Sequence, residues 1–204
     1  MTESSGLDLA WLACTFSTNG IPDTSHQTLG CWSDEALVLE QIRTLRATPG
    51  IDAVVVTPHR GEESTAHPSA AQRQLAERFI EAGATLALGS HPHVLQPWEK
   101  VKLADGREGF VIDSLGTFVS GQAQLARRST MLLHVGLTKT TSGVVVKGVR
   151  YVPLVRNTRV GVRAVEAIDR AGGSVDSRRI TVGMFGTTNL QDPAAPVETS
   201  PGCP

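Results

Sequence analysis

Residues 51–57, IDAVVVT, form a continuous apolar run rich in β-branched side chains. A strand of this kind offers neither face to water, so it demands cover on both sides, as in a parallel sheet flanked by other layers. A second short apolar run follows at 85–89, TLALG. Between them, Leu75, Phe79 and Ile80 make an apolar stripe at helical spacing over 69–82. Ser69 and Gln72 suit a capping box, and Gly83 supplies a C-terminal stop. Upstream, Leu37, Leu39, Ile42 and Leu45 predict a helix over 34–47. Ser33 is its expected cap, Asp34 and Glu35 suit its positive end, and Pro49-Gly50 stop it. The stretch LDLAWLACT, residues 7–15, reads as a further apolar strand. Strand–helix–strand–helix–strand indicates an α/β layer.

The pattern then changes. VKLADGREGFVIDSLG reads as two strands turning at Asp105-Gly106. Residues 129–137 and 143–151 read as a second antiparallel pair, 163–172 as a short helix and 178–185 as a final strand. Residues 1–188 are expected to form one domain, with 189–204 a Pro/Ala-rich flexible tail. Hydrophobic residues make up 40% of the chain and aromatics only 4%, so the core must be mainly aliphatic. A net charge of −1 provides no electrostatic footprint for nucleic acid or an acidic membrane. No stretch is apolar for long enough to span a bilayer, and the N-terminus lacks the form of a signal peptide. Taken as it stands, the chain is placed in the cytoplasm by default; an upstream export signal would place it in the cell envelope. Cys14, Cys31 and Cys203 fit neither a zinc knuckle nor a CxxC motif. Cys14 is expected to be a small core residue, Cys203 to be exposed, and a structural disulfide is not expected.

Two buried strands end in polar loops that carry histidine: VVVTPHRGEE at 54–63 and LALGSHPHVLQ at 86–96. Open α/β sheets bind ligands outside the carboxyl ends of their strands. His59, His91 and His93 would then share one rim, and imidazole is the commonest protein ligand for zinc-like metals. Histidines also serve as loop hydrogen-bonders or plain surface groups, and that reading stands beside the first. Glu62 and Glu63 could orient an imidazole or be solvated charges, and Asp113 could do either. His26 and His67 read as loop and surface residues, and His134 as a core histidine. Arg127 and Arg128 read as a solvated turn, with a phosphate clamp as the alternative. GxSxG, P-loop and GxGxxG motifs are absent.

The stretch from IDAVVVTPHRGEES through GSHPHVLQ to DSLGTFVSG resembles the capsule-synthesis (poly-γ-glutamate) CapA family of the calcineurin-like metallophosphoesterase superfamily. GSHPHVLQ is its most specific piece, and LACTFSTNGIP near the start also contributes. The family has Trp-Gly and then an acidic residue after its histidine; here His59 is followed by Arg60-Gly61, with Glu63 at the acidic place. The family's Ser-Leu-Gly-Asn-Phe stands here as Ser114-Leu115-Gly116-Thr117-Phe118, which puts the hydrogen-bonding role of that Asn in question.

The resemblance implies a partial four-layer α/β/β/α sandwich and a site for divalent metal ions of the Mn, Zn or Fe class. His59 and His91 match ligands of one metal and His93 a ligand of the other, with Glu63 as an outer partner. It implies a hydrolase acting on a phosphoester or a cell-envelope polymer. The family's earlier Gly-Asp and Asn-Asn-His motifs have no counterpart here, so the chain looks like the C-terminal half of such a domain. Three neutral ligands without a bridging carboxylate imply that metal binding in this chain alone is weak or absent. The missing N-terminal half, or a second copy held through exposed apolar surface, is the expected partner. The alternative is a non-catalytic binding or scaffold protein.

Overall fold

A computed structural model describes residues 1–4, 6–159, 162–168 and 175–193. Strand β1 (Thr2–Ser4) pairs antiparallel with β2 (Leu7–Thr15). Helix α1 (Glu35–Ala47) leads to β3 (Ala53–His59), and helix α2 (Ala70–Ala82) to β4 (Leu86–Leu88). The hairpin β5 (Leu95–Lys102) and β6 (Glu108–Leu115) completes a six-stranded sheet of order β1-β2-β3-β4-β6-β5. Strands β2, β3, β4 and β6 run parallel at its centre. A four-residue helix α3 (Leu125–Arg128) precedes the three-stranded sheet β7 (Ser129–Thr140), β8 (Gly143–Arg159) and β9 (Val162–Ala167). Helix α4 (Val175–Phe185) follows.

The IDAVVVT run explains the layering. Val54 and Val56 point to one face and pack with Ile42, Leu75 and Phe79 of the two helices. Val55 points to the other and packs with Leu95, Ile112, Met131 and Tyr151 between the sheets. All three valines are fully buried. The expected α/β architecture is therefore present, with helices on one face of the mixed sheet and a second sheet on the other. Helix α4 inserts Phe185 into the inter-sheet core beside Trp98 and Tyr151. Among the described residues no helix is long and apolar enough to cross a membrane.

Helix α2 keeps its capping box: Ser69 accepts from the Gln72 N–H, and the Gln72 side chain accepts from the Ser69 N–H. Gly83 closes it in the left-handed conformation, φ 120°. Helix α1 is capped one residue later than Ser33, at Asp34, whose carboxylate accepts from the Gly30 N–H instead. Its buried stripe runs through Val38 and Ile42, while Leu37 lies exposed.

Three expectations are corrected. Cys14 and Cys31 form a disulfide. The loop after β2 returns to bridge Thr15 with Gly30, which brings the two sulfurs together across 17 residues of sequence. Residues 178–185 belong to helix α4, not to a strand. The alternation of Ile180, Val182 and Met184 imitates a strand, yet the buried positions are Ser177, Thr181 and Phe185, four apart. The short helix expected over 163–172 is instead β9 at its start, because the long β8 offers a free edge; residues 169–174 lie outside those described. Asn189 and Gln191, from the expected tail, hydrogen-bond to Tyr151, and residues 194–204 lie outside those described.

Candidate functional site

The carboxyl ends of β2, β3 and β4 lie on one rim because the three strands are parallel neighbours. Strand β3 ends at His59, and Gly89-Ser90 carry the chain from β4 to His91 and His93. The two histidine loops are bonded to each other through the backbone. Arg60 N–H donates to Ser90 O, Ser90 N–H to Pro58 O, and Ser64 N–H to Pro92 O. Gly61 sits at φ 123°, and an added Cβ would meet the Gln72 side chain at 2.4 Å and the Pro92 ring at 3.0 Å.

This framework brings the three predicted histidines together. His59 Nε2 and His91 Nδ1 are 3.1 Å apart, with ring centroids at 4.8 Å. His91 and His93 have centroids 6.1 Å apart. His59 Nδ1 lies 3.0 Å from Ser90 Oγ, which orients the ring. His93 Nδ1 lies 3.1 Å from Thr117 Oγ1. His91 and His93 are both held at positive φ, 101° and 61°. Such conformations cost on the order of 1–3 kcal/mol for a residue with a side chain and cluster at functional sites. Burial lowers the imidazole pKa of His59 and of His91 below the ordinary value. A lowered pKa favours the neutral ring, the form that can ligate a cation.

Glu63 faces His93 Nε2 at 3.7 Å. Its other oxygen takes a hydrogen bond from Arg127 at 3.2 Å. Arg127, expected in a solvated turn, reaches back from α3 to Ser64, Glu63 and Gln122, and its side chain is only 18% exposed. Sequence reasoning did not place it at the rim, since 64 residues separate it from Glu63. His67 is exposed, as expected of a surface group, Glu62 is exposed, in keeping with its reading as a solvated charge, and His134 is half-buried on β7. Among the described residues, no three His, Cys, Asp or Glu side chains converge into a group able to hold a metal ion.

Beneath the rim lies a charge the sequence did not forecast. Arg60 is fully buried, 3.5 Å from Asp113 on β6. Burial pushes the Asp113 carboxyl up, against the opposing pull of Arg60, and pushes the Arg60 guanidinium down. On the β2 side, Phe16 stands against Trp32 and His91, with ring centroids at 5.6 and 6.2 Å. The adjacent Cys14–Cys31 bond anchors that wall.

Residues 1–122 match the model of a family described as bacterial capsule synthesis protein PGA_cap. The chain is 39% identical over 83 residues to the capsule biosynthesis protein CapA of Bacillus anthracis, which covers 41% of this chain and 19% of that protein. It is also 39% identical over 92 residues to the PGA biosynthesis protein CapA of Bacillus subtilis (strain 168), covering 45% of this chain and 23% of that one. The similarity spans about a fifth of the length of these curated relatives. Since the family model covers more than half of the 204 residues, the chain belongs to the bacterial capsule synthesis family PGA_cap.

Proposed function

We propose that this chain serves capsule or poly-γ-glutamate biosynthesis and that its histidine rim is a metal-dependent, metallophosphoesterase-like hydrolase site. The observation that carries the reading is the approach of His59 Nε2 and His91 Nδ1 to 3.1 Å on adjacent strand ends. Two nitrogens bound to one tetrahedral ion at ordinary Zn–N lengths stand about 3.3 Å apart, so a cation replacing the proton of this hydrogen-bonded pair would need only a slight widening. His59 and His91 would hold a divalent ion of the Mn, Zn or Fe class, with His93 as a further ligand. When bound, such an ion would acidify a water and stabilise a developing oxyanion during hydrolysis of a phosphoester or of a cell-envelope polymer.

The chain's own residues prepare the rim. Burial lowers the pKa of His59 and of His91, Ser90 orients His59, and Arg127 holds the Glu63 carboxylate beside His93. A second cation does not fit these residues alone. Among the described residues, Glu63 is the carboxylate that faces the histidines, and Arg127 already offsets its charge. A dinuclear site would need carboxylates from another segment or a partner chain.

A second reading, a non-catalytic binding or scaffold protein, is favoured by the lack of a convergent three-ligand group among the described residues. Metal content separates the two. The protein is loaded with manganese or zinc and dialysed beside a variant carrying His59→Ala, His91→Ala and His93→Ala. Metal retained by the parent and lost by the variant supports the hydrolase reading; equal content in both supports the scaffold.

A further inference from the structure

We infer that Thr117 is a positioning residue that holds His93 in the Nδ1–H tautomer, leaving the Nε2 lone pair on the side of the ring that faces Glu63. The inference deepens the metal-site reading above and rests on it for its consequence, though not for the tautomer itself.

The argument is a proton count. The Thr117 hydroxyl lies 3.3 Å from the His93 carbonyl oxygen and 3.1 Å from His93 Nδ1. A hydroxyl has one proton to give, and a carbonyl can only accept. With the Thr117 proton directed to the carbonyl, Nδ1 must bring its own proton to the Thr117 oxygen. The opposite arrangement would turn two lone-pair-bearing oxygens toward each other and abandon one bond. At the far side of the ring, Glu63 is the competitor for an Nε2 proton. Its nearer oxygen is 3.7 Å away, beyond hydrogen-bond reach, and Arg127 engages the other. The closer partner, Thr117, therefore decides the tautomer.

Thr117 is itself held firmly. Gly116 turns the chain at φ 74°, and its N–H donates to Ser114 Oγ at 3.1 Å. A Cβ on Gly116 would come within 3.0 Å of Ser129 O, so the turn is seated directly against β7. The same hydroxyl thus grips both the ring and the backbone of a residue whose φ of 61° needs support.

The test is long-range proton–nitrogen NMR on protein labelled with 15N-histidine, metal-free, at a pH above the imidazole titration. The expected spectrum has a protonated Nδ1 and a bare Nε2 on His93. Thr117→Val keeps the side-chain shape without the hydroxyl and should move His93 to the other tautomer or a mixture. Thr117→Ser should restore the parent pattern. A parent spectrum with the proton on Nε2, or a valine variant with an unchanged spectrum, overturns the inference. Zinc titration calorimetry then reads the consequence. Affinity should fall about 10–100-fold in the valine variant and return in the serine variant, the usual penalty for losing a group that orients a ligand. Measurable zinc binding of equal affinity in the parent and the valine variant would end the positioning role. A parent that takes up no zinc, yet loses its Nδ1–H tautomer in the valine variant, defeats the metal reading and supports the Thr117 assignment alone.

Discussion

The guanidinium of Arg60 and the carboxylate of Asp113 face each other at 3.5 Å, with side chains 0% and 4% exposed, beneath the loop that carries His91 and His93. Breaking a buried pair leaves one uncompensated charge and typically costs about 3–5 kcal/mol, whereas replacing both partners by apolar groups is often neutral. Arg60→Met is expected to lower urea-unfolding stability strongly at neutral pH, and Arg60→Met with Asp113→Leu much less. The single variant should also gain a pH dependence. Burial already raises the Asp113 carboxyl above 3.8, and losing Arg60 removes the opposing pull. A folded-state pKa above the unfolded value gives stability that is present below the unfolded pKa and lost as pH rises through the folded one. The Arg60→Met penalty should therefore shrink on acidification toward pH 4. Additive penalties in the double variant would show that the two groups do not act as a pair.

The Cys14–Cys31 bond closes a 17-residue separation between β2 and the start of α1. Loop closure of this size is worth about 3 kcal/mol in the chain-entropy account. Reductant, or paired Cys14→Ala and Cys31→Ala, should lower the unfolding midpoint accordingly. Of the three cysteines, one thiol per denatured, unreduced chain should react with a thiol reagent. Three reactive thiols would show that the bond is absent. Such bonds persist where thiols are kept oxidised, so export during expression should raise the yield of the bonded form.

Asp23 makes a compact local prediction. Its carboxylate accepts from the Thr28 hydroxyl at 2.6 Å and from the N–H groups of Gln27 at 3.0 Å and Thr28 at 2.8 Å. These bonds, the Thr28 hydroxyl foremost, lower its pKa from 3.8 to about 2. A depressed carboxylate contributes stability that is present above the unfolded value and is lost as pH falls through about 2. Carboxyl NMR should find Asp23 titrating near 2, with the Gln27 and Thr28 amide shifts moving in step. Thr28→Val should bring the midpoint up toward 3.8. Titration of the parent at 3.8 would remove the proposed bonds from solution.

What the sequence disclosed follows from what is periodic in it. The valine run, the α2 stripe with its capping box, and the Asp105-Gly106 hairpin all depend on near neighbours, and each forms where expected. The histidine rim followed because parallel strands bring their carboxyl ends together, a rule of topology rather than of contacts. What stayed hidden depends on return of the chain from far away. Arg60 and Asp113 are 53 positions apart and Arg127 and Glu63 are 64 apart, and no local pattern marks such pairs. The cysteines become partners only once Thr15 bridges Gly30. In α4 the polar Ser177 and Thr181 occupy the buried stripe, so apolar periodicity pointed to the wrong element.

Gly89 tests whether the histidine loop depends on the close seating of β4 against β6. An added Cβ would lie 2.0 Å from Asp113 O and 3.0 Å from Ile112 O, both backbone atoms with little room to yield. The strand exit would have to lift, breaking the bonds from Gly89 N–H to Ile112 O and from Leu115 N–H to Gly89 O. Overpacking of a rigid interior costs about 1–3 kcal/mol, and here the displacement passes directly into Ser90, His91 and His93. Gly89→Ala should therefore lower stability by that amount and weaken zinc uptake more than a destabilised but native rim would. Gly136→Ala on β7 is the control, because its Cβ would meet nothing closer than 3.5 Å. Calorimetric zinc titration beside urea unfolding of both variants gives the comparison. A Gly89→Ala protein with parental stability and zinc affinity would mean that the rim is not set by this contact, and that the backbone bonds from Arg60 and Ser64 hold it unaided.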